Sequence, residues 1–144
     1  MIAEKTIQIC GKEVQLRYCA ASETGYELLS GKSSDVFAPT VAERNENGEI
    51  ARLDPPKATA DDYIKLAFAS IIAAYERVEQ EVPITVKDII FDSEPEEVKN
   101  LITSVIELRI KWYTVPKTVP ESEFDNTGEE QKNDQTPANA SKDS

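Results

Sequence analysis

Lys5-Thr-Ile-Gln-Ile-Cys10-Gly11-Lys12-Glu13-Val-Gln-Leu-Arg-Tyr-Cys19 decides how this chain begins to fold. Apolar and polar residues alternate on both sides of one glycine, the period of a half-buried strand. The spacing predicts strands over Lys5–Cys10 and Glu13–Cys19 joined by Gly11-Lys12, with Gly11 opening a type II′ turn. In that register Ile7 faces Leu16 and Ile9 faces Val14, while Gln8/Gln15 and Thr6/Arg17 take the other face. One face is buried and one is wet, as an antiparallel pair on a core requires. Cys19 then falls opposite Glu4, too far from Cys10 for a disulfide, whose Cα atoms lie within about 7 Å. Both thiols are expected free, which suits a reducing compartment.

Working outward, Ser22 is positioned to cap a short helix over Glu23–Leu29, with Gly31 as its stop signal. Asp35 to Lys57 is less regular. Asn47-Gly48 predicts a type I′ turn that sets Asn45 opposite Ile50 and Ala42 opposite Leu53. Pro39 and Pro55-Pro56 confine these strands to an edge, so residues 35–57 read as a hairpin arm or an insertion. Thr59-x-x-Asp62 is a capping-box variant opening a long helix. Ile64, Phe68, Ile71, Tyr75 and Val78 form its stripe, widened by Ala67 and Ile72, and Pro83 lies beyond its end. Thr85 starts a short helix over Val86–Phe91, and Ser93-x-x-Glu96 then caps a last helix that runs to Tyr113.

That last helix carries two apolar stripes. Val98, Leu101, Ile102, Val105, Leu108 and Trp112 make one; Ile106, Ile110 and Tyr113 make the other. Two readings fit this breadth: a helix wedged between a sheet and another helix, or one whose apolar face stays partly open for a partner. From Lys117 the composition changes. Val119 and Phe124 are the only large apolar residues left, and three Lys against seven acids give this stretch a charge of −4. Residues 117–144 read as a disordered acidic tail, and residues 1–116 as one domain.

Composition narrows the function. The 144 residues carry 16 Lys+Arg against 27 Asp+Glu, a formal charge of −11. Such a surface repels phosphate, so nucleic acid is not an expected partner. With no His, the commonest acid–base group, His-based triads and most transition-metal sites are missing. A Ser–Lys pair is the nucleophilic arrangement that remains open. Glu43 to Asp54 loosely follows a calcium loop, but its first and twelfth residues are wrong and prolines flank it. Asp88, Asp92, Glu94, Glu96 and Glu97 cluster at two helix starts, where capping and the helix dipole explain them better than catalysis. A helix-turn-helix over Thr85–Tyr113 would present Glu-Pro-Glu-Glu to phosphates. No catalytic residue, cofactor or metal is expected. The start lacks the pattern of a signal peptide, and the apolar run Leu66–Tyr75 falls short of the roughly 20 residues that span a bilayer. The expected location is the cytoplasm, with no membrane partner.

The order of segments carries a resemblance. Ile-Gln-Ile-Cys-Gly-Lys-Glu-Val-Gln-Leu-Arg-Tyr-Cys (7–19) precedes Ser-Glu-Thr-Gly-Tyr-Glu-Leu-Leu-Ser-Gly-Lys (22–32). Ile-Ile-Ala-Ala-Tyr-Glu (71–76), Asp-Ile-Ile-Phe-Asp (88–92) and Glu-Leu-Arg-Ile-Lys-Trp-Tyr (107–113) follow. Over residues 5–116 the chain resembles the small tail assembly chaperones of long-tailed phages, in versions carried by gut Bacteroides-type prophages. The resemblance implies a non-catalytic chaperone that coats the tape-measure protein during tail assembly. Ile106, Ile110, Trp112 and Tyr113 are the contact residues expected from the broad face of the last helix, and Tyr75 of the preceding long helix is added to them. The alternative is an acidic decoy that occupies a nucleic-acid-binding protein. Homo-oligomer formation is left open. The expected fold is α+β: an antiparallel sheet of one or two hairpins packed on three or four helices.

Overall fold

The computed structural model describes residues 2–114. The first hairpin pairs β1 (Ala3–Ile9) with β2 (Lys12–Tyr18). Its register differs from the sequence reading by two residues: Ile9 faces Lys12, Ile7 faces Val14 and Glu4 faces Arg17. The turn is Cys10-Gly11, with φ of 53° and 72°, the type I′ pattern rather than II′. A non-glycine residue in this region costs about 1–2 kcal/mol, and distant contacts offset it. Cys10 N–H donates to Glu97 Oε1 at 3.1 Å, its thiol donates to the Asp88 carbonyl at 3.3 Å, and Ser93 Oγ lies 3.3 Å from Sγ. A shift of two keeps every side chain on its face. Ile7, Ile9, Val14, Leu16 and Tyr18 are therefore buried together.

Two helices cover that buried face. The long α2 (Ala60–Glu76) lies along β2. The last helix, α4 (Pro95–Thr114), lies against β1. Glu97 meets Cys10 and Glu107 Oε1 meets Lys5 Nζ at 3.0 Å, so α4 runs antiparallel to β1. Lys5 sits opposite Leu16 on the inward row and reaches out to that carboxylate with its ammonium. Leu66, Ile71, Leu101, Val105 and Leu108 complete the core with the hairpin. Residues 2–112 pack as one unit.

The helix starts follow side-chain hydrogen bonds. Thr59 and Asp62 form the expected reciprocal cap of α2, and Thr85 with Asp88 does the same for α3 (Val86–Asp92). At α4 the cap is displaced by one residue. Glu97, not Glu96, accepts the Glu94 N–H at 2.9 Å, and the Ser93 hydroxyl is turned to Cys10. The first helix, α1 (Ala20–Ser30), begins before the expected Glu23. Ser22 still serves its start, accepting from Cys19 N–H and donating to the Arg17 carbonyl. At the far end of α2, Glu79 (φ 59°) turns the chain left-handed and Gln80 N–H bonds the Tyr75 carbonyl. This closure ends the helix at Glu76. Val78 consequently lies outside the helix and is exposed, contrary to its place in the expected stripe.

The second hairpin, β3 (Thr40–Arg44) and β4 (Ile50–Asp54), forms its own two-stranded sheet. Arg44 faces Ile50 and Val41 faces Leu53, with register shifts between them; the expected Asn45/Ile50 and Ala42/Leu53 pairs do not form. The turn is not type I′, because Gly48 alone takes a positive φ, 81°. Asn45 Oδ1 instead accepts from Asn47 N–H and Glu49 N–H, which suits Asn at the first position of a type I turn. The hairpin is clasped at its base. Phe37, in a 3₁₀ turn at Ser34–Phe37, is buried against the Tyr26 and Tyr63 rings, and Ala58 N–H bonds the Val36 carbonyl at 3.0 Å. The fold is α+β, with four helices and two separate antiparallel hairpins among the described residues. The predicted tail at 117–144 lies outside the described residues.

Candidate functional site

Gly25 in α1 and Ala69 in α2 set the closest approach of two helices. A Cβ built on Gly25 would stand 3.0 Å from the Ala69 Cβ, so any larger residue forces the helices apart. The pair is antiparallel. Tyr26, late in α1, reaches Asp62 in the first turn of α2, whereas Arg17 and Cys19, before α1, share a concavity with Glu76 and Arg77. That concavity is a trough of about 620 Å³, within the usual range for ligand sites. Ala21, Gly25, Ala69 and Ala73 form a small-residue floor, and Leu28, Leu29 and Ile72 form apolar walls. Leu28 is 83% exposed, a large cost for an apolar side chain left in water.

A buried carboxylate braces the same helix pair from the opposite end. Asp62 is buried, and Oδ1 accepts from Tyr26 Oη at 2.9 Å and Lys32 Nζ at 3.1 Å. Oδ2 accepts from the Thr59 N–H and hydroxyl. Burial pushes the Asp62 carboxyl up, but the Thr59 N–H, Tyr26 hydroxyl, Lys32 ammonium and Thr59 hydroxyl outweigh it. The result is a pKa lowered to about 2. Burial, with the Asp62 charge beside it, raises the Tyr26 phenol. Asp62 therefore stays ionised and holds α1 to α2 as a fixed clamp.

The acidic cluster at the helix starts is likewise occupied. The Thr85 N–H and hydroxyl hold Asp88 below the usual carboxylate range. Glu97 is lowered by the Glu94 N–H and further by those of Cys10 and Gly11. These carboxylates organise backbone. The lysine ammonium groups that form hydrogen bonds meet Glu107, the Pro83 carbonyl, Asp62 and Asp61; among the described residues none meets a Ser hydroxyl. Among those residues no group of His, Cys, Asp and Glu side chains is placed to hold a metal. No described helix is long and apolar enough to cross a membrane. Cys10 and Cys19 are free thiols.

The five expected contact residues separate. Tyr75 is half-buried against the core, and its hydroxyl accepts Gln15 N–H at 3.2 Å, so it braces β2. Trp112 is also half-buried against the core. Ile106 is half-buried, while Ile110 and Tyr113 are 54% and 53% exposed. Of the other stripe, Leu101, Val105 and Leu108 are buried in the core. The trough itself was not among the sequence expectations. Its legible signal was a pair of small residues four apart on each helix, Ala21/Gly25 and Ala69/Ala73, which together permit close packing and a shallow floor.

No protein-family model, curated protein or solved structure matches this chain.

Proposed function

We propose that this chain is a non-catalytic interaction protein, a phage tail assembly chaperone that shields apolar segments of a tape-measure protein during tail assembly. One observation carries the reading. The α1–α2 trough is open to solvent and lined mainly by apolar and small side chains, Leu28, Leu29 and Ile72 among them. Such a surface gains by covering apolar area rather than by reacting. The formal charge of −11 favours solubility when the partner is apolar. The decoy alternative has less support, because Asp62, Asp88 and Glu97 are engaged in internal hydrogen bonds rather than arrayed for a partner. The whole chain should act in the cytoplasm of the phage host.

The test is co-expression with the tape-measure protein encoded in the same gene neighbourhood, followed by co-purification in high salt. A soluble complex that survives salt supports apolar recognition. A tape-measure protein that stays insoluble and unbound overturns the chaperone reading. A complex that dissolves steeply with salt favours the acidic decoy.

A further inference from the structure

The trough offers a partner side chains and almost no backbone. Its two sides are α1 and α2, whose interior N–H and C=O groups are satisfied within each helix. An extended peptide laid there would bury its own peptide groups without partners, at about 1–3 kcal/mol for each. A helix arrives with those groups already bonded. The seven-residue advance from Ala21 to Leu28 spans about 10 Å of helix axis, the length of two turns. That is too short to supply the roughly 800 Å² per partner of a stable protein–protein interface, so a second folded copy is a poor occupant.

The ends of the trough differ. Leu28 and Leu29 lie toward one end, and Arg17 and Arg77 line the other together with Glu76. Arg17 Nη1 is bonded to Glu4 at 2.6 Å, whereas Arg77 makes no side-chain ion pair among the described residues. A guanidinium has five donors in a fixed fork that matches a carboxylate. Glu76 puts a carboxylate on the same rim, so what this end offers a partner is the Arg77 fork and the Arg17 nitrogens that Glu4 does not use, not a net positive charge.

We infer that the trough takes a two-turn amphipathic helix from a partner protein, with apolar residues at i, i+3 or i+4 and i+7 and a carboxylate at the end facing Arg77. This rests on the proposed binding role and adds which kind of segment is held and in which direction. The carboxylate fixes direction, and the leucine wall supplies most of the affinity.

The probe is a fluorescent designed helix with Leu at those positions and Glu at one end, beside a twin carrying Lys there. Each is titrated against the full chain by anisotropy at low salt. The Glu helix should bind about fivefold tighter, the order of one exposed ion pair gained and one repulsion avoided. Arg77→Glu should reverse the preference, and Leu28→Glu should weaken both helices; both positions are exposed, so the fold is retained. Equal binding of the twins, no binding of either, or indifference to Leu28→Glu overturns the inference. Co-expression separates this from the wider reading. If Leu28→Glu still keeps the tape-measure protein soluble while Ile106→Asp/Ile110→Asp does not, the chaperone role stands and the trough is not its site. If the unaltered chain fails to solubilise it, the chaperone role fails whatever the peptides do.

Discussion

Two hairpins of similar size meet different fates in this molecule. In β1–β2 the inward row of Ile7, Ile9, Val14, Leu16 and Tyr18 is buried without a break in the ladder. In β3–β4 the apolar residues Val41, Ile50 and Leu53 remain 38%, 53% and 50% exposed. Strand length and a glycine turn therefore do not decide whether a hairpin joins a core. An unbroken pairing register does, because it keeps the apolar residues on one face that α2 and α4 can cover, with Lys5 and Lys12 the charged residues in that row. The register shifts around Glu43 divide the second hairpin's apolar residues before any helix could cover them. The comparison also separates two meanings of a turn. Cys10-Gly11 is tied to Asp88, Ser93 and Glu97 far along the chain, whereas Asn45 bonds only its near neighbours.

Removing a buried anchor should break the first hairpin most severely. Leu16 is fully buried, and Leu16→Ala should lower the unfolding free energy by about 2–5 kcal/mol, read as a reduced urea midpoint. A loss below about 1 kcal/mol would show that the row is not the centre of the core. Acid provides the next largest effect. The Asp62 pKa falls from 3.8 to about 2 on folding, so its stabilisation is present above pH 4. That stabilisation is lost as pH drops toward 2. The shift corresponds to about 2 kcal/mol, seen as a declining thermal midpoint across that window. Tyr26→Phe removes one donor to Asp62 and should move the acid transition to higher pH. An unchanged transition in this variant would mean that the clamp does not govern acid stability.

What was legible in the sequence follows the range of the forces involved. Period-two alternation marks the faces of β1 and β2, and Thr59/Asp62 and Thr85 mark two helix starts, since each signal spans a few residues. The register was not legible. A shift of two leaves the faces unchanged, and the groups that select it, on Asp88, Ser93 and Glu97, lie about eighty residues away. The broad face of α4 was read correctly as two stripes, but only packing could show Val105 inside and Ile110 outside. The trough was missed for a related reason. Leu28 and Leu29 look like core residues in a short helix, and only the close approach of Gly25 to Ala69 leaves them as walls.

The smallest expected effect is the sharpest test of the contrast. Val41→Ser/Leu53→Ser alters a directly paired, exposed couple on the second hairpin. Surface substitutions of this kind shift stability by about 0.5 kcal/mol or less, so the urea midpoint should stay close to that of the unaltered chain. Amides of residues 40–44 and 50–54 should already exchange quickly, because a lone two-stranded ribbon is marginal in water, whereas β1–β2 amides should exchange only through global unfolding. A large loss of stability in the double variant would reverse this picture, since exposed side chains can matter that much only if another surface covers them in solution. Light scattering on the unaltered chain would then reveal a second copy seated on the arm. If the mass is that of one chain, the burial difference between the two hairpins accounts for the difference between Leu16→Ala and this variant.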